Sequence, residues 1–113
     1  MKLAIIGSRN FKDWDLLVTT LAPYLEAVDL VVSGGASGAD FLGAKWATIN
    51  NIETLIFPAN WEKFGKKAGF IRNVDIIKSC DFCIAFWDGT SRGTAHSISL
   101  CNKYNKAIKI IQI

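Results

Sequence analysis

Histidine, proline and cysteine are scarce in this chain, at one, two and three residues. The lone histidine, His96, has no partner that the sequence identifies, so packing or a surface role is expected rather than acid–base work. Cys80, Cys83 and Cys101 make an odd set with no secretion signal, which points to reduced thiols. Cys80-Asp81-Phe82-Cys83 leads into an apolar strand and not into a helix N-terminus, so core packing is expected, not redox chemistry. No second Cys/His pair could complete a zinc site, and no metal site is expected. Long apolar runs are also missing. Leu3 to Ile6 is stopped by Gly7, too soon for a signal-peptide core or a membrane span. The expectation is a cytoplasmic protein of bacterial or phage type with no membrane partner. No run of basic residues exceeds Lys66-Lys67, and the net charge is only +3. That reads as a solvated face and sets the expectation that nucleic acid is not a partner.

What is present suits one compact domain over residues 1–113, half hydrophobic and 20% charged. So apolar a composition in so short a chain suggests that part of the surface is covered by a second copy, in a homo-oligomer. Strand and helix patterns alternate. Leu3–Ile6, Leu30–Ser33, Thr54–Phe57, Phe82–Phe86 and Ala107–Ile111 read as strands, the first a continuous apolar run buried on both faces and the last, with Lys109 and Gln112, suited to an edge. Between them, Trp14, Leu17, Val18, Leu21 and Leu25 recur at helical spacing behind an Asp13 N-cap, and Pro23 should kink or shorten that helix. Ser37-Gly38-Ala39-Asp40 has the form of a capping box opening a second helix to about Thr48. Further helices are expected from about Gly69 to Ser79 and from the Asp88–Thr94 loop to about Asn105. Alternation of this kind implies parallel pairing with right-handed crossovers. The expected fold is a Rossmann-like three-layer α/β/α domain with a five-stranded parallel sheet in the order 3-2-1-4-5.

The glycines carry the functional reading. Gly7 follows strand 1; Gly34, Gly35 and Gly38 follow strand 2; Gly89 and Gly93 follow strand 4. In an open parallel sheet these loops emerge on one edge, where ligands bind in the crevice at which the strand order reverses. Glycine allows close approach of the main chain, and free N–H groups at a helix start attract anions. Ser33–Gly38 and Asp88–Thr94, each before a helix, therefore form a candidate phosphate cradle, with Gly7-Ser8-Arg9 on the same ligand-binding edge. Ser37, Thr90, Ser91 and Thr94 supply hydroxyls, and Arg9 and Arg92 supply bidentate cations. Neither GxxxxGK[ST] nor GxGxxG occurs, which disfavours an ordinary nucleotide triphosphatase or dinucleotide dehydrogenase; no cofactor is expected.

These loops resemble a known family. Ser33-Gly34-Gly35-Ala36-Ser37-Gly38-Ala39-Asp40 is similar to the GGAxGAD motif of the YspA-like branch of the SLOG superfamily. Pro58-Ala59-Asn60-Trp61, Gly65-Lys66-Lys67-Ala68-Gly69-Phe70-Ile71-Arg72-Asn73 and Ala85-Phe86-Trp87-Asp88-Gly89-Thr90-Ser91-Arg92-Gly93-Thr94 agree with it in the same order. The resemblance implies a Rossmann-like domain that senses or processes nucleotide-derived ligands such as ADP-ribose-like molecules, and adds Arg72 and Asn73 to the ligand contacts. More distant relatives are the LOG phosphoribohydrolases, whose dimeric habit agrees with an oligomer, and the DprA DNA-processing proteins. The closing segment is also similar to nucleoside deoxyribosyltransferases. Those two enzyme families carry GTxxE; here it becomes Gly93-Thr94-Ala95-His96-Ser97, with Ser97 in place of the glutamate that acts at the sugar.

Two functions follow. The leading expectation is binding or sensing of a phosphorylated, nucleotide-derived small molecule. The alternative is cleavage or transfer at an N-glycosidic bond, with Asp40 or Asp88 as the catalytic carboxylate. Trp61 and Trp87 stand near strand ends where either could stack on a base, with core packing the expectation for Trp61 and the two roles evenly weighed for Trp87.

Overall fold

The computed structural model describes residues 1–113. Five parallel strands run in the order β3-β2-β1-β4-β5: β1 Lys2–Gly7, β2 Leu30–Ser33, β3 Glu53–Ile56, β4 Phe82–Trp87 and β5 Ala107–Gln112. β1 pairs with both β2 and β4, ending level with β4 at Gly7 and Phe86. The strand order therefore reverses between β1 and β4, which opens a crevice beyond their C-terminal ends.

The central strands are buried on both faces, as continuous apolar runs require. Leu3 and Ile5 of β1 point to one layer with Leu17, Leu21, Trp46, Ile84 and Phe86. Ala4 and Ile6 point to the other with Ile76, Ile77, Leu100 and all three cysteines. Cys80, Cys83 and Cys101 are buried free thiols. The edge strand β3 is exposed throughout.

Helix α1, Trp14–Leu21, starts where the Asp13 carboxylate accepts the Leu16 N–H at 3.0 Å. A 3₁₀ turn at Ala22–Tyr24 ends it at Pro23, as the ring requires. Helix α2, Ala39–Ile49, has Gly38 and not Ser37 at its N-cap. The expected capping box is thus absent. Gly38 takes φ 80° there, and a Cβ at this position would strike the carbonyl oxygens of Ser8 and Arg9. The stretch after β3, expected as loop, contains a short helix α3, Trp61–Phe64, capped by Asn60, and a 3₁₀ turn at Gly65–Lys67. Helices α4, Ala68–Lys78, and α5, Arg92–Lys103, complete the second layer. No helix is long and apolar enough to cross a membrane.

Candidate functional site

A cavity of about 320 Å3 opens at the C-terminal ends of β1 and β4, between α4 and the start of α5. Arg9, Lys66, Arg72 and Arg92 line it, against one carboxylate, Asp40. None of the four cations is ion-paired; the single ion pair of the chain joins the Met1 amino group to Asp29 at the far end of the sheet. Several positive groups thus converge on a space with little compensating charge, which is an anion-binding arrangement.

Each wall has a local cause. Asp88 closes the turn after β4: its Oδ1 accepts the N–H groups of Thr90 at 2.9 Å and Ser91 at 2.8 Å. Ser91 then caps α5 by accepting the Thr94 N–H, and its hydroxyl meets that of Thr94 at 3.1 Å. The N–H groups of Arg92 and Gly93 keep no internal partner and lie at the cavity wall. On the opposite wall, Arg72 reaches across Gly34. Its Nη1 donates to the Gly34 carbonyl at 2.8 Å, in space that a side chain at position 34 would fill. Its Nε donates to Asn73 Oδ1 at 3.2 Å. That fixes the Asn73 amide so that Nδ2 donates to the Gly93 carbonyl and to His96 Nδ1, at 3.4 and 3.3 Å. His96 Nδ1 must then be unprotonated, in keeping with the burial that lowers its pKa. Asn73 so ties the arginine-bearing helix α4 to the N-terminus of α5.

The two candidate carboxylates have opposite surroundings. Asp40 is only 7% exposed. Burial pushes its carboxyl up to about 6, against the pull of Arg72, the N–H groups of Ala36 and Gly34, and Arg9. Asp88 is held below the usual carboxylate range by the N–H groups of Thr90 and Ser91. It holds the turn and does not line the cavity, whereas Asp40 does.

A second, shallower cavity of about 360 Å3 adjoins the first, sharing Arg9, Ala36, Trp61 and Arg72 with it. Gly34, Gly35 and Ser37 line this one. Of the residues expected at the site, Gly7, Arg9, Asp40, Arg72, Asn73, Ser91, Arg92, Gly93 and Thr94 line the first cavity. Ser8, Gly38, Trp87, Asp88, Gly89 and Thr90 line neither. Ser8 is buried and taken up internally: its Oγ accepts the Asp88 N–H, and its carbonyl accepts those of Phe11 and Ala39. The start of α2 is therefore occupied by protein, and α5 carries the open helix terminus. Trp87 donates its indole N–H to the Ser91 carbonyl at 3.1 Å and braces the turn.

Sequence reasoning missed Lys66 and Phe70, which line the cavity, and misplaced Trp61. Trp61 does not pack in the core; it is 53% exposed at the mouth of both cavities, because the unforeseen helix α3 lifts it off the sheet. Ser97, where the GTxxE enzymes carry glutamate, is buried and lines the first cavity.

Comparison with known proteins agrees with this architecture. The chain is 38% identical over 114 aligned residues to the Gene 61 protein of Mycobacterium phage D29, covering 90% of this chain and 89% of the relative. It superposes with a TM-score of 0.70 and 22% identity on DNA processing protein A from Helicobacter pylori, in a structure described for its single-stranded DNA binding mode. That match covers 97% of this chain but only 64% of the other, so this chain corresponds to less than two thirds of that protein, and the likeness is one of fold. It overturns the expectation that set nucleic acid aside. Nearly the whole fold of this chain occurs in a protein that binds single strands, and a net charge of +3 conceals the local gathering of four unpaired cations. The model of the YspA, cpYpsA-related SLOG family matches residues 1–64, which include β1, the Gly34–Gly38 loop and Asp40. With that match and the phage relative along most of its length, the chain belongs to the YspA, cpYpsA-related SLOG family.

Proposed function

We propose that the first cavity binds a phosphorylated, nucleotide-derived small molecule, with phosphate against the N-terminus of α5. The observation that carries this reading is the set of four unpaired cations, Arg9, Lys66, Arg72 and Arg92, beside the free N–H groups of Arg92 and Gly93. Asp40 lies deep enough to accept a sugar hydroxyl, and the half-exposed ring of Phe70, which lines only the first cavity, suits a base.

A second reading is that the same groove takes single-stranded DNA. The fold shared with DNA processing protein A favours it, as do the two exposed aromatic rings beside the cations. Calorimetric titration with inorganic phosphate, a nucleoside, its monophosphate, ADP-ribose and an oligonucleotide tests both. The first reading expects the monophosphate or ADP-ribose to bind and the unphosphorylated nucleoside to fail. Binding of the oligonucleotide alone would transfer the site to the second reading. Equal binding of nucleoside and nucleotide would overturn the role assigned to the cations.

A further inference from the structure

The second cavity adjoins the first and is built of similar materials. It is ligand-sized in its own right, at the lower end of the ~300–1,000 Å3 range of small-molecule pockets. Its floor is the Gly34–Ser37 loop. In that loop the Gly35 and Ala36 N–H groups turn inward to Ser33 Oγ and Asp40 Oδ2, while the Ser37 N–H has no internal partner. Its boundary with the first cavity is formed by Arg9 and Arg72, two cations that face both spaces. The half-exposed Trp61 lines both spaces.

Two adjoining spaces that share two cations and an exposed aromatic residue match the chemistry of two nucleosides joined through phosphate. The linking phosphate takes the cations, and each flanking nucleoside takes one space. We infer that the second cavity is a second nucleoside subsite, with Trp61 as its stacking surface, so that the complete ligand carries two nucleosides linked through phosphate. This rests on the nucleotide reading of the first cavity and names the ligand class more closely. Indole stacking accepts any base, so the subsite selects for the presence of a second base rather than its identity. A free dinucleotide and a single strand share this chemistry.

The test compares affinities for a nucleoside 5′-monophosphate, a 5′-phosphorylated dinucleotide and a ten-residue single strand. They are measured on the wild type and on Ala59→Trp, whose larger side chain fills the second cavity at a position that does not line the first. The inference expects the dinucleotide to bind at least tenfold more tightly than the mononucleotide. It also expects Ala59→Trp to bring the two to within about twofold while mononucleotide affinity stands. If the strand binds no better than the dinucleotide, the free dinucleotide is the source; if far better, the strand is. Equal affinity of wild type for mononucleotide and dinucleotide overturns the inference and leaves the first reading intact. Failure to bind any of the three overturns both. The wild-type ratio stands as a test whether or not the variant folds.

Discussion

Asp40 is buried and carries its carboxyl at about 6, so in the folded chain it holds a proton that the unfolded chain releases nearer pH 4. Between those values the native state binds more protons, and stability falls as pH rises; above pH 6 the penalty is complete. Asn at this position keeps an acceptor for the Ala36 N–H and removes the charge. Asp40→Asn is therefore expected to stabilise the ligand-free protein at pH 7.5 by up to about 3 kcal/mol, with the gain vanishing near pH 4. Urea denaturation at the two pH values checks this; an equal effect at both would remove the burial argument. The Arg92 side chain makes no ion pair within the chain and is exposed. Arg92→Ala should leave the melting temperature unchanged and weaken phosphate-dependent binding by about 1.5–3 kcal/mol, the range for hydrogen bonds to charged groups. Unaltered affinity in titration calorimetry would make Arg92 a surface residue. At this scale the sequence was partly legible. The glycine spacing and the arginines pointed to the cavity, whereas Asp88 and Ser8 could not be told from ligand groups, because their partners lie in their own turns or 80 residues away.

The elements were the most legible part. Continuous apolar runs marked the strands, and the alternation with helices led to the 3-2-1-4-5 order observed. Less was readable where backbone geometry overrides side-chain pattern. Ser37 and Asp40 stand at capping-box spacing, yet the close approach of the Ser8 and Arg9 carbonyls admits only glycine at the cap, and Asp40 turns instead to the Ala36 N–H. Gly38→Ala should accordingly destabilise the fold by at least about 1–3 kcal/mol, from the left-handed φ of 80° alone. Denaturant midpoints check that value, and a loss below a few tenths of a kcal/mol would mean that the start of α2 can shift. Helix α3 is a single turn with no apolar periodicity to announce it, which is why Trp61 was assigned to the core. Its Asn60 cap, whose side chain accepts the Lys63 N–H at 3.1 Å, was the available signal.

At the scale of the whole molecule, the fold brings four cations from β1's end, the 3₁₀ turn, α4 and α5 to one sheet edge and pairs none of them with a carboxylate. Total composition cannot show this, because charges elsewhere on the surface offset it. The central claim is that nucleotide phosphate sits at the N-terminus of α5 within this group. Amide chemical-shift mapping during titration with a nucleoside monophosphate tests it most directly. The predicted result is that the largest perturbations fall on the Arg92 and Gly93 amides and on the Arg9 and Arg72 guanidinium N–H signals. Perturbations confined to the opposite edge of the sheet, around Met1 and Asp29, or none at saturating nucleotide, would contradict the account.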